Sequence, residues 1–213
     1  MLVSVSSMPA ENDIVNYTKQ IENFADFLHL DICDGEYNNT KCFSPELAHQ
    51  INSISTIPLD CHLMTKTPLK YAEQYIKSGA NFVTAQFESF ENSEQVLEFI
   101  EFVKNKNCLC GLALEIETSA DKISGYLDSL DIVLLMSVKT GKSGQTFDET
   151  VFEKVKVLKD IKQSKNQNFK IQVDGGINDS VAKKLKDIGV DIVVSGNFVY
   201  KAQNKQLAIE SLR

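Results

Sequence analysis

The chain is short of positive charge: 22 lysines and arginines stand against 29 aspartates and glutamates, a formal net charge of −7 over 213 residues. That balance withholds the basic field needed for nonspecific binding to nucleic acid or to an anionic membrane surface. It leaves an anionic small molecule open, because a local site can be positive on an acidic protein. Long apolar runs are missing too. None approaches the roughly 20 residues needed to cross a bilayer. The opening "MLVSVSSMPA" has neither the basic leader nor the apolar length of a secretory signal. The five cysteines, Cys33, Cys42, Cys61, Cys108 and Cys110, make no C-x-x-C pair and no zinc-ribbon spacing. An odd number of thiols without a signal segment predicts reduced cysteines in a cytoplasmic protein.

What the sequence does contain is alternation. Short β-branched or apolar runs recur between longer amphipathic stretches, the pattern of repeated βα units. The strand candidates are "LVSVS" from Leu2, "FLHLDI" from Phe27, "LDCHL" from Leu59, "FVTAQF" from Phe82, "LCGLAL" from Leu109, "IVLLMS" from Ile132, "KIQV" from Lys170 and "IVVS" from Ile192. Helical segments begin behind Asn12 or Asp13, at Thr67 and Pro68, and at Asn178 or Asp179, where Asx, Thr and Pro supply the usual start marks. The phrases "KSGANFV" and "DIGVDIV" place Gly79 and Gly189 at matching helix-to-strand turns. Eight units with no break in composition predict an α/β fold, a single closed (β/α)8 TIM barrel over residues 1–213. An open sheet with fewer strands is the alternative.

In a barrel, alternate strand residues point inward and the last of them line the catalytic mouth. His29 and Asp31 share that parity on the second predicted strand, and His62 falls at the matching place on the third. Asp174 ends the seventh, almost across the mouth. Two imidazoles and two carboxylates converging from separate strands suit one divalent cation of the Zn, Fe, Mn or Co kind, whereas Mg and Ca favour all-oxygen sites. A hydrogen-bonded network inside the core is the other reading of these residues. His49, on the helix after the second strand, reads as solvated surface. Gly175 and Gly176 after the seventh strand, and Gly196 with Asn197 after the eighth, lie where barrels commonly cradle a phosphate against backbone N–H groups. Gly141 and Gly144, after the sixth strand, belong to a loop that could close over such a group.

These residues, taken in order, resemble the ribulose-phosphate 3-epimerases. "SVSSM" from Ser4 is similar to that family's opening S-P-S strand, "HLDICDG" to H-x-D-x-M-D-G, "LDCHLM" to D-V-H-L-M, and "LMSVKTGKSGQTF" to M-S-V-N-P-G-F-G-G-Q-x-F. "VDGGIN" matches the family's phrase, and "VSGNFVY" resembles A-G-S-x-I-F. The resemblance implies a metal-dependent isomerase of carbohydrate metabolism that interconverts D-ribulose 5-phosphate and D-xylulose 5-phosphate through an enediolate. It implies that His29, Asp31, His62 and Asp174 hold the metal and that Asp31 and Asp174 also move the C3 proton. By the same match Ser6 and His62 face the substrate, Met64 and Met136 form apolar walls, and the glycine loops with Asn197 hold the phosphate. Barrels of this kind often pair through their loops, so a homo-oligomer is an open expectation.

The chain departs from that pattern in the shell around the substrate. Gly35, Glu36, Tyr37, Asn38, Asn39 and Thr40 stand where G-H-F-V-P-N is usual, and Gln86 replaces a His of V-H-x-E. Lys139 and Thr140 replace N-P, Lys142 and Ser143 replace F-G, Cys33 replaces Met, and Asn197 replaces Ser. Cys33 reads as a small apolar wall and Lys142 as an exposed loop lysine, pairing with a phosphate on loop closure being the alternative. A 3-epimerase of a ketohexose 6-phosphate, of the allulose 6-phosphate type, is therefore the alternative with the same chemistry, and a non-catalytic phosphosugar-binding barrel is a further one. A lyase of the related barrels would need D-x-K-x-x-D on the third strand, which here reads "DCHLMT".

Overall fold

The structure, a computed structural model, describes residues 1–141 and 144–213. Lys142 and Ser143 lie outside the described residues. All eight predicted runs form parallel strands: β1 (Leu2–Ser6), β2 (Phe27–Asp34), β4 (Leu59–Met64), β5 (Ala80–Gln86), β6 (Leu109–Leu114), β7 (Ile132–Met136), β8 (Lys170–Asp174) and β9 (Ile192–Ser195). A two-residue strand, β3 (Lys41–Cys42), adds an antiparallel rung to β2 beyond the ring. Each barrel strand pairs with the next, and β1 pairs with both β2 and β9. That double pairing closes the barrel and rules out the open sheet.

Parallel strands covered by helices are buried on both faces and so read as near-continuous apolar runs. Their outward residues, such as Val5, Leu30, Leu63, Leu112, Val133 and Val193, join the main apolar core between barrel and helices. The barrel interior is different. On the β6–β7 side it is apolar, with Ala113, Leu134, Met136 and Val138 in a small cluster of their own. On the side of β1, β2, β4 and β8 it is polar, and Ser4, His29, Asp60, His62 and Gln172 are all buried there.

The helices begin largely where the sequence marks them. The start near Asp13 is the least direct: a 3-10 turn over Met8–Asp13, with a proline in its first turn, precedes α1 (Ile14–Ile21). Ser44 and Asn92 cap α2 (Pro45–Ile54) and α4 (Ser93–Asn105), their side chains accepting from Leu47 N and Gln95 N. Pro68 opens α3 (Pro68–Lys77) behind Thr67, whose side chain makes no capping bond. After α5 (Val151–Ser164), Asn178 caps α6 (Asp179–Asp187), its side chain accepting from Val181 N at 3.0 Å. Among the described residues no α-helix joins β6 to β7. Two 3-10 turns, Ala120–Ile123 and Leu127–Ser129, make that crossing instead.

Gly189 ends α6 with φ at +87°, a conformation that costs an L-residue roughly 1–2 kcal/mol. Gly189→Ala should therefore lower the unfolding free energy by about 1–2 kcal/mol, seen as an earlier urea midpoint at unchanged slope.

Candidate active site

The ladder registers bring the four predicted ligands together. Asp31 on β2 pairs with His62 on β4, Ser6 on β1 pairs with His29 on β2, and Met136 on β7 pairs with Asp174 on β8. One donor atom from each of His29, Asp31, His62 and Asp174 lies within 4.8 Å of the others. Both imidazoles are fully buried, and Asp31 is nearly so.

Hydrogen bonds at the back of each ring decide which nitrogen faces the centre. His29 Nδ1 lies 2.8 Å from Asp60 Oδ2, and an ionised carboxylate only accepts, so Nδ1 carries the proton. His29 Nε2 is thereby the nitrogen turned toward the centre, 3.5 Å from Asp31 Oδ1 and 3.8 Å from Asp174 Oδ2, where either a proton or a cation can sit. For His62, the amide orientation of Gln86 that satisfies all its neighbours has Oε1 accepting from His62 Nε2 at 3.1 Å. Its amide nitrogen then donates to Glu88 Oε2 at 3.0 Å and to the Ala113 carbonyl at 3.2 Å. The His62 Nδ1 lone pair thus points at Asp31 Oδ1, 3.7 Å away. Neither inward nitrogen has a hydrogen-bond partner. Lone pairs aimed at carboxylate oxygens repel unless something positive sits between them, so these residues fit a divalent cation held by two nitrogens and two oxygens.

The two aspartates are set apart electrostatically. Burial would raise Asp31, but His29 and His62 outweigh it and hold its carboxyl far below the ordinary carboxylate range. Asp174 moves the other way: burial, then the charge of Asp31, pushes it up to about 7. Below pH 7 one carboxyl of the pair is ionised while the other is still largely protonated. Burial also disfavours a charged His29, yet Asp60 and Asp31 more than compensate and raise its pKa well above the usual imidazole value.

Above the cluster opens a cavity of about 260 Å³. Asp31 and Asp174 form part of its lining, together with Ser6, Met64 and Met136. Ser6 Oγ donates to Asp31 Oδ2 at 2.9 Å, so the hydroxyl meets the carboxylate as well as the open space. Gly141, Gly144, Gly175, Gly176, Gly196 and Asn197 line the same cavity. Gly176 has φ at +64°, and a Cβ there would stand 2.5 Å from the backbone nitrogen of Phe147, so the loop after β7 packs directly against it. His29 and His62, both fully buried, are not among the residues that line this cavity. Cys33 is buried beside the cluster, with Asn38 Nδ2 3.7 Å from its sulfur.

Asp60 is the residue that the sequence reading passed over. It shares the inward parity of His62, two places along the same run, which was the available signal. Lys139, Asn178 and Lys201 also line the cavity; the sequence reading takes Lys139 only as a departure from the family pattern and Asn178 only as a helix cap, and passes over Lys201.

A closed parallel barrel with a charged cluster and a glycine-lined cavity at one mouth defines a TIM-barrel enzyme. The fold is similar to that of 3-hexulose-6-phosphate synthase from Salmonella typhimurium (TM-score 0.71, 13% identity, covering 100% of this chain and 96% of that one). It is similar as well to that of KGPDC from Streptococcus mutans (TM-score 0.73, 15% identity, covering 99% and 94%). The sequence narrows the class further. Residues 3–200 match the ribulose-phosphate 3 epimerase family, and the chain belongs to it. It is 34% identical over 203 residues to a ribulose-phosphate 3-epimerase of Helicobacter pylori strain 26695, covering 94% of this chain and 92% of the relative. It is 30% identical to that of Bacillus subtilis, covering 93% and 91%. The chain is accordingly an isomerase of the carbohydrate epimerase class. No helix among the described residues is long and apolar enough to cross a membrane.

The raised pKa of Asp174 fixes the sign of one pH effect. In the folded, metal-stripped protein Asp174 keeps its proton to about 7, whereas the unfolded carboxyl ionises near 4. Its contribution to stability therefore falls as pH rises from about 4 to 7. In chelator, Asp174→Asn should melt above the unsubstituted protein at pH 8, and the advantage should shrink toward pH 4; thermal melts across that range check both.

Proposed function

We propose that this chain is a metal-dependent 3-epimerase that interconverts D-ribulose 5-phosphate and D-xylulose 5-phosphate. The observation that carries the reading is the cluster of two unpartnered imidazole nitrogens and two carboxyl groups at the floor of the cavity. His29, Asp31, His62 and Asp174 would hold a single cation of the Zn, Fe, Mn or Co kind. When bound, it supplies the Lewis acidity that steadies the charge left when a carbon beside a ketone loses its proton.

The rest of the work falls to side chains. Inversion at C3 needs a base on one face of the substrate and an acid on the other. Asp31, held ionised, is suited to take the proton; Asp174, the weaker acid of the two, is suited to return one from β8 on the far side of the mouth. The roles exchange in the reverse direction, and their titration belongs to the pair. Ser6 orients Asp31 through its 2.9 Å bond. Met64 and Met136 give the cavity apolar walls that keep water from the reacting carbon. The phosphate would rest at Gly175, Gly176, Gly196 and Asn197, with the loop bearing Gly141 and Gly144 closing over it.

Proton NMR of ribulose 5-phosphate in D2O tests the reading. Exchange at C3 with appearance of xylulose 5-phosphate, lost on chelation and restored by a divalent cation, is expected. No exchange with metal bound would overturn the pentulose assignment, and equal or faster turnover of a ketohexose 6-phosphate would move it to the longer sugar. Asp174→Asn should keep the circular dichroism of the barrel and lose at least about a hundredfold in kcat, since an amide cannot shuttle the proton. Retained turnover would remove Asp174 from that role.

A further inference from the structure

Glu115 follows β6 and lies outside the cavity, yet two loops of the mouth are tied to it. Its Oε1 accepts from the hydroxyl of Tyr37, in the loop after β2, at 3.1 Å, and from Thr140 Oγ1, in the loop after β7, at 2.7 Å. Thr140 and Gly141 are cavity wall, and Thr40 Oγ1 donates to the Gly141 carbonyl at 3.0 Å. Asn38 lies against the same glycine and donates to Met64 Sδ, another wall atom, at 3.5 Å. The loop after β2 thus crosses to the loops after β6 and β7.

Neither mouth loop, residues 35–40 or 138–141, forms helix or strand. Gly35, Asn39 and Gly141 sit at positive φ, and the chain's four prolines, Pro9, Pro45, Pro58 and Pro68, lie elsewhere. Their shape therefore depends on side-chain bonds. Glu115 is well placed to supply them because it is itself held. Its backbone nitrogen donates to Glu88 Oε1 at 3.0 Å, and its carbonyl accepts from Lys154 Nζ, on α5, at 2.6 Å. Glu88 in turn accepts from Gln86, which accepts from His62. A continuous run of hydrogen bonds joins a ligand of the candidate metal site to the wall of the cavity.

We infer that Glu115 is a positioning residue for substrate binding: through Tyr37 and Thr140 it locks the loops after β2 and β7 together and so fixes the Thr140–Gly141 wall. It touches no reacting atom. Its loss should weaken substrate binding and leave the chemical step and the metal in place, because neither aspartate of the cluster bonds to it. The kinetic part rests on the proposed epimerase reading; the structural part does not.

The test uses Thr140→Val, Thr140→Ser, Glu115→Gln and the Thr140→Val/Glu115→Gln double variant. With ribulose 5-phosphate, Thr140→Val and Glu115→Gln should each raise KM about tenfold with kcat within about twofold, the size expected for weakening a hydrogen bond to a charged acceptor. Thr140→Ser, which keeps the hydroxyl, should restore KM. The double variant should be no worse than the poorer single one, as befits one shared interaction. Amide hydrogen exchange, which needs no substrate, should show faster exchange in residues 35–40 and 138–141 of Glu115→Gln. Unchanged exchange there, additive KM effects, equal KM for Thr140→Val and Thr140→Ser, or a fall in kcat at constant KM would each overturn the inference. If the unsubstituted protein turns over no pentulose phosphate, the functional reading fails while the exchange result still decides the lock.

Discussion

One buried oxygen organises the interior of this barrel. Asp60 Oδ2 accepts from Ser4 Oγ at 2.8 Å, from His29 Nδ1 at 2.8 Å and from Gln172 Nε2 at 2.6 Å, which joins β4 to β1, β2 and β8. Burial alone would push this carboxyl up, and His29 with the other donors holds it below the usual range instead. A buried ion with three donors is tolerated; the same ion with one removed is costly. The His/Asp cluster inherits its order from that bond. Once Nδ1 of His29 is committed to Asp60, Nε2 is the nitrogen that faces Asp31 and Asp174, and something positive, a proton or a cation, must stand between them.

The strands were readable because burial on both faces leaves few polar residues to blur the runs, and because the exceptions repeat with period two. His29 with Asp31, and His62 on the next barrel strand, stood out as polar interruptions of apolar strands, and Asp174 as the residue that ends one. Asp60 was equally interruptive and equally placed, yet its role lies in contacts to residues as far away as Gln172, which spacing along the chain cannot show. The crossing between β6 and β7 misled for another reason. A βα repeat implies a helix there, but the 3-10 turns at Ala120 and Leu127 span the distance without one.

The positions where this chain departs from the family pattern look independent along the sequence. In the fold Tyr37, Gln86 and Thr140 meet around Glu88 and Glu115, so three separate exchanges belong to one hydrogen-bonded neighbourhood. The metal-capable cluster keeps its four residues while the neighbourhood behind it is rebuilt. Such a division lets the hydrogen bonds around the cavity change without disturbing the four clustered side chains.

Ring closure also has a consequence for how the protein is made. One edge of β1 pairs with β2, but the other waits for β9, which lies near the far end of the chain. Asp60 waits in the same way for Gln172. On a ribosome delivering about 5–20 residues per second, most of the barrel would be synthesised while β1 remains an open edge and the interior carboxylate is incompletely paired. The nascent chain therefore spends seconds as an unclosed sheet, when an exposed edge and its apolar face are most open to association with other chains or to capture by a chaperone.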